Sequence, residues 1–403
     1  MSALRIPAVY MRGGTSKGVF FHKSALPPDP ARRDQILLRV VGSPDPYGKQ
    51  IDGMGGGSSS TSKVVLLSRS ERPDCDVDYL FGQVAIDAPL IDWSGNCGNL
   101  SAAVGPFAIS EGLVDAPPNG KATVRIWQEN LGKLIIAHVP MQGGQVQEGG
   151  DFELDGVTFP AAEIGLEFMD PGAGEDRSGS AMFPTGRLVD LIETDDGPCE
   201  VTMISAGNPT VFVGAQSLGL AGTEMQASFN ADTALLARCE RLRARAATEM
   251  GIAKTTVEAT RLHQHTPKLI FVGPPRAYTT SSGRTVTKAD IDILARGVSM
   301  GKLHHAMMGT GAIAIAVAAN IPGTLVHRLF DPARLAANGG MLRFGHPSGV
   351  LRVAAAAERD PAGGWVVRKV SMSRTARRLM EGHVSVPDTT RTSLETIESR
   401  RNR

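Results

Sequence analysis

The chain has 403 residues, 42% of them hydrophobic, and its 42 Lys plus Arg nearly cancel its 41 Asp plus Glu. That balance removes any general attraction to nucleic acid or to a membrane surface, so a basic patch for an acidic ligand must be local. No apolar run approaches the ~20 residues of a membrane-spanning helix, and the length suits two domains around a substantial core. The N-terminus lacks the order of basic, apolar and small residues of a signal peptide. Cys75, Cys97, Cys199 and Cys239 are scattered without CxxC or metal-type spacing, which reads as free thiols in a reducing cytoplasm.

Short β-rich runs dominate, each bounded by Gly, Pro, Asn or Asp. In chain order they cover residues 6–11, 18–22, 62–68, 76–87, 123–130, 133–140, 201–205, 210–215, 268–273, 349–357 and 364–373. Antiparallel pairing is the expectation. Helical patterns are fewer: 100–113, 231–251, about 288–301, and a run after His304-His305 that ends near Ala319. From Pro387 onward the sequence is polar and patternless, so 387–403 is expected to be a disordered tail.

Two of these helices start alike. Residues 95–105 read GNCGNLSAAVG and residues 307–318 read MMGTGAIAIAVA. Small, uncharged helices of this kind suit burial inside a sheet. They could be unrelated. The sharper expectation is an α+β fold of two pseudo-symmetric domains, 1–195 and 196–386. Each would be a β-sheet rolled around a central helix whose N-terminus faces a shared cleft.

Cys97 is the one cysteine in a telling context. It sits in Gly95-Asn96-Cys97-Gly98-Asn99, ahead of the first such helix, where free N–H groups and the helix dipole favour a thiolate. Cys75, between Asp74 and Asp76, has the opposite setting. Lys63 ends the Gly55–Ser62 run and opens the strand VVLLS. As a strand-end lysine it could be solvated, but at the lip of an apolar strand it would be partly desolvated and usable as a base. Gly55, Gly56, Gly57 and Ser58 offer backbone and hydroxyl donors for a carboxylate. The Arg12-Gly13-Gly14-Thr15-Ser16-Lys17-Gly18 segment lacks the GxxxxGK[ST] spacing of a nucleotide loop. Its Arg and small donors fit an organic acid better. His304 and His305 are adjacent, without carboxylates at ligand spacing, so no metal site is expected.

The GNCGNLSAA segment resembles the first cysteine motif of diaminopimelate epimerase, and MMGTGAIAIAVAA resembles the second, with Met308 where that family has its other cysteine. MRGGTSKGVFF, GSPDPYGKQIDGMGG, DWSGNCGNLSAAVGPFAI, SMGKLHHAMMGT and RFGHPSGVLRV resemble the PrpF proteins, which are 2-methylaconitate cis–trans isomerases of the methylcitrate route of propionate breakdown. The resemblance runs from about Arg5 to Val386. It implies Lys63 as acid–base residue and Cys97 as its partner. It also implies that Arg12, Thr15, Ser16, the Gly55–Ser60 loop, Lys268, His304, Met308 and Gly309 line the substrate site. Met308 can neither take nor give a proton, so two-thiol amino-acid epimerisation is disfavoured.

In an unsaturated tricarboxylate, a proton both allylic and alpha to a carboxylate is acidified by conjugation. Its removal gives a dienolate whose former double bond can rotate before reprotonation. Such an isomerase needs no cofactor, and no flavin, nicotinamide or metal motif is present. The expected partner is a small unsaturated tricarboxylate. A homo-oligomer and a functional association with a methylcitrate dehydratase are admitted. Two rival readings stand beside this one: a tautomerase of 4-oxalomesaconate or methylitaconate, and a non-catalytic accessory protein of the dehydratase.

Overall fold

The computed structural model describes residues 3–172, 182–195, 197–361 and 364–387. The runs of β-branched and aromatic residues form a nineteen-stranded sheet. Its path starts at the edge strand Ala376–Pro387 and passes through Ala3–Gly13, Ser16–His22, Lys63–Arg69 and Val77–Val84. It continues through Gly120–Gln128, Lys133–Gln142, Ile164–Met169 and Trp365–Arg374. From there it runs through Gly349–Arg359, Met341–His346, Ile293–Ser299, Lys268–Gly273, Asn208–Gly214, Gly197–Ala206 and Asp190–Thr194, and the two-residue strands Ile91–Asp92, Gln145–Val146 and Lys302–Leu303 complete the sheet. Most neighbours are antiparallel. Parallel pairs occur at Val19↔Val64, Val77↔Ile126, Thr210↔Lys268 and Ile293↔Phe344.

Two helices lie inside this ribbon, Ser101–Ser110 and Gly309–Ala319. All residues of the second are buried, and its side chains from Ala312 to Ala319 share one hydrophobic cluster with Ala102, Ala103, Val104, Phe107 and Ala108 of the first. Small side chains are what let strands close on them: a Cβ on Gly105 would sit 2.7 Å from Val139 Cγ2. The first helix packs on the Ala3–Gly13, Gly120–Gln128, Lys133–Gln142 and Ala376–Pro387 strands. The second packs on the Gly197–Ala206, Asn208–Gly214 and Gly349–Arg359 strands. The fold is therefore α+β and dominated by sheet.

Some expectations need correction. Residues 288–301 are not a helix. A single 3₁₀ turn at Lys288–Asp290 leads into the strand Ile293–Ser299, all seven residues of which are buried. A strand covered on both faces has no alternating pattern, so its apolar run resembles a buried helix. The amphipathic helix Pro30–Val41, with Asp29 capping Arg32 N–H, was not expected. Pro387 does not open the tail; it pairs with Ala3 at the end of the last strand. The rest of the expected tail, 388–403, lies outside the described residues. The division at 195/196 is crossed by Trp365–Arg374 and Ala376–Pro387, which pair with Ile164–Met169 and Ala3–Gly13.

Candidate active site

The N-termini of the two buried helices meet. A Cβ on Gly98 would lie 2.8 Å from Gly309 C, so the two backbones touch and neither position has room for a side chain. Asparagines staple the junction. Asn96 N–H donates to Asn208 Oδ1 (2.9 Å) while Asn208 Nδ2 donates to Asn96 O (3.1 Å). Asn99 Nδ2 donates to Thr15 Oγ1 (3.0 Å) and to Met307 O (3.1 Å), and Arg374 Nε donates to Asn99 Oδ1 (3.2 Å).

A narrow pocket opens at this junction. Lys63 and Cys97 both line it, as do Ser16, Lys268, His304, Met308 and Gly309. Lys63 is 6% exposed and opens a strand in which it stands opposite Gln83. Its Nζ donates to Gln83 Oε1 (2.6 Å) and lies 5.0 Å from the centre of the Phe81 ring. Gln83 Nε2 in turn donates to Ser62 O (3.0 Å), which fixes the acceptor toward the lysine. Burial lowers the Lys63 pKa from its ordinary value, and a hydrogen bond and charge interaction with Cys97 act the other way. Cys97 Sγ accepts from Leu100 N–H (3.5 Å). Amine and thiol thus share one pocket.

Lys268, buried in the same pocket, has its Nζ 2.9 Å from His265 Nδ1 and 3.2 Å from Ser299 Oγ. Burial first, then the charge of Lys63, brings its pKa down to about 7. His304 Nδ1 accepts from Ala306 N–H (3.0 Å) and its ring stacks on His305, 4.7 Å away. Burial holds His304 neutral, well below its ordinary pKa, so its proton sits on Nε2. A fixed neutral donor of this kind can hold a carboxylate or enolate oxygen.

Other expected residues lie outside the pocket wall. Arg12 Nη1 donates to Gly14 O (3.1 Å) and Thr375 O (2.9 Å). Thr15 supports Asn99. In the glycine loop, Gly57 N–H binds Gln50 Oε1 (2.9 Å), Gly55 N–H binds Val41 O (3.0 Å), and Ser58 N–H faces Thr61 Oγ1 (3.3 Å). Gly56 is packed against the same Thr61. From this loop Ser59 is the residue that reaches the pocket. Met308, which does line the pocket, packs its thioether on Gly297, where a Cβ would lie 2.8 Å from the sulfur.

Sequence reasoning gave no role to Asn96, Asn99, His265 and Ser299 in the wall or to Gln83 and Asn208 behind it. The three-residue spacing of His265 and Lys268 was visible, but only the fold sets both on the pocket. Asn96 Oδ1 is buried there without a hydrogen-bond partner, an acceptor open to a ligand or water.

The chain matches the PrpF protein family over residues 3–387. It belongs to that family. It is 60% identical to the 2-methyl-aconitate isomerase of Shewanella oneidensis, covering 95% of this chain and 97% of that one. With the 2-methyl-aconitate isomerase of Cupriavidus necator the identity is 61%, over 95% and 98%. The 3-methylitaconate isomerase of Eubacterium barkeri is 38% identical, over 95% and 97%. Among solved structures, a methylitaconate Δ-isomerase has TM-score 0.72 at 38% identity, covering 96% of each chain. A probable proline racemase has TM-score 0.53 at 14% identity, over 96% and 94%, a likeness of fold. As a PrpF protein the chain is an isomerase.

Proposed function

We propose that this isomerase converts 2-methyl-trans-aconitate to 2-methyl-cis-aconitate by moving one allylic proton. The observation that carries the reading is that Lys63 and Cys97 line one pocket together with Lys268 and the His304 donor. The unequal identities support the substrate, at 60–61% against 38% for the methylitaconate enzyme.

Lys63 is the base. In its neutral form, favoured by burial, the amine takes the proton that is both allylic and alpha to a carboxylate. The electron pair spreads into a dienolate, the former double bond rotates, and Lys63 returns the proton to the same carbon. Cys97 holds the amine in place and can exchange a proton with it. Negative charge on the dienolate is met by the converging helix N-termini, Lys268 and His304 Nε2–H. Phe81 and the buried walls exclude water that would compete for those donors.

The finer expectations belong to this reading. The chain would work in the cytoplasm, in the methylcitrate route of propionate catabolism, passing its product to a methylcitrate dehydratase. Its halves, 1–195 and 196–386, would be two copies of one sheet-wrapped-helix unit, with the last two strands returning to the first half. Purified protein incubated with trans-aconitate should yield cis-aconitate. Binding of trans-aconitate without turnover, or failure of allylic deuterium uptake in D₂O, would sink the assignment in favour of a binding protein.

A further inference from the structure

We propose that Lys268 awaits substrate as a neutral amine and takes up one proton from solution as a substrate carboxylate binds, with His265 as the residue that positions it. The inference rests on the reading of the pocket as a polycarboxylate site.

The argument starts at Asn208. Its amide is oriented by two backbone groups of Asn96, with Oδ1 accepting from the N–H and Nδ2 donating to the carbonyl. The amide cannot be turned over without losing both bonds. Nδ2 is therefore the atom facing His265 Nε2, at 3.3 Å, and it faces it as a donor. A neutral imidazole has one N–H and one bare nitrogen. With Nε2 accepting, the ring proton belongs on Nδ1, which points at Lys268 Nζ 2.9 Å away. An ammonium has three N–H groups and no lone pair, so it cannot accept that bond. A neutral amine can, while still donating to Ser299 Oγ at 3.2 Å.

The groups around Lys268 agree. Lys63 at the head of the Lys63–Arg69 strand and Arg243 from the 233–249 helix disfavour a second cation; Asp92 and Cys97 favour one. Asp92 is already engaged by Ser94 N–H and Oγ–H and by His265 N–H, so little of its charge is free to pair with Lys268. His265 and His304 are buried and held neutral, with the Asn96 backbone alone acting the other way on His265. Gly95 seals the arrangement from the other side, since a Cβ there would sit 2.8 Å from His265 Nε2.

An arriving carboxylate changes the balance. It offers the ammonium a charge-assisted partner inside a dry pocket. Once protonated, Lys268 faces a donor at His265 Nδ1, so the lysine is turned from the histidine toward the carboxylate. One proton enters from bulk water and none is taken from substrate. His265 thus acts through Lys268, setting when the cation forms.

Two measurements test this. Calorimetry of trans-aconitate binding at pH 8, in buffers of different ionisation enthalpy, should show uptake of about one proton, falling toward zero below about pH 6. KM should rise up to about tenfold per unit above pH 8, while kcat does not carry that dependence. Lys268→Met should abolish the uptake. Asn208→Asp, which replaces the donor with an acceptor and so moves the ring proton to Nε2, should also abolish it while binding remains. Binding by the native protein with no buffer dependence overturns the proposal and leaves the functional reading standing; no binding at all removes both. The second measurement needs no substrate. Nitrogen NMR of ¹⁵N-histidine-labelled protein should place the His265 proton on Nδ1, and a proton on Nε2 overturns the proposal.

Discussion

Gly98 and Gly309, far apart in the chain, touch backbone to backbone: a Cβ on Gly309 would lie 2.5 Å from Gly98 C. The contact is between the starts of two buried helices, so it sets the distance between two positive dipole ends and the width of the pocket. Gly98→Ala or Gly309→Ala must push the helices apart, at an overpacking cost of about 1–3 kcal/mol. Each should lower the melting temperature and reduce turnover. Gly149→Ala is the control, because nothing lies within 4 Å of its would-be Cβ. Thermal melts and kcat/KM of the three variants check this; an active, stable Gly309→Ala would contradict the contact.

Lys63→Ala should remove both isomerisation and exchange of the allylic proton with D₂O, a loss of about 10²- to 10⁴-fold with the fold intact. Lys63→Arg should not restore either, since a guanidinium stays protonated and cannot accept the proton. Met308→Ala removes no titratable group. Its thioether fills the space over Gly297, so it should act through packing, lowering stability while exchange continues. NMR of the allylic signal in D₂O decides among these outcomes. Persistent exchange in Lys63→Ala would transfer the base to another residue, Cys97 first.

Cys97 should be the first of the four thiols to react with iodoacetamide, and trans-aconitate should protect it. It lines the pocket beside Lys63. The other three are pushed up by burial, Cys239 to about 12, with Asp74 adding to the rise at Cys75. Peptide mapping after limited alkylation reads the order. Earlier labelling of Cys199 or Cys239 would place the reactive cleft elsewhere.

Lys268 should make stability depend on pH in one direction. Its folded pKa of about 7 lies below the ordinary 10.5, so between about pH 7 and 10 the unfolded chain holds the extra proton. Stability then rises with pH across that window, by up to about 1.4 kcal/mol per unit, and the burial penalty is at its full value below pH 7. Lys268→Met removes this contribution. The difference in unfolding free energy between variant and native protein should therefore narrow from pH 7 to pH 10. Urea titrations at several pH values measure it, and a constant difference would refute the lowered pKa.

Much of the chemistry was legible from local sequence. Lys63 at the head of VVLLS and Cys97 between glycines before a small-residue helix each carry their reason beside them in the chain. Many strands were readable from their β-branched runs, among them the fully buried Lys268–Gly273, while the alternating Ile164–Met169 was missed. Where a strand is buried on both faces, as at Ile293–Ser299, that alternation vanishes and the helix expectation failed. The edge strand Ala376–Pro387 is mostly exposed, and Arg377, Arg378, Glu381 and Gly382 interrupt its apolar residues, so it carried no strand pattern.

What the sequence determined by itself was a candidate pair, Lys63 and Cys97, that the fold brings to one pocket, together with the two buried helices and the family they imply. What only the tertiary structure decided was which groups stand around that pair. Asn208 clasps Asn96 across 112 positions of chain, and Gln83 reaches Lys63 through strand register. His265 and Lys268 become partners only because Asn208 and Gly95 hold the ring between them. Such contacts depend on register and close approach between distant segments, and a hydrogen-bond partner that far away leaves no mark on the residues near it in sequence.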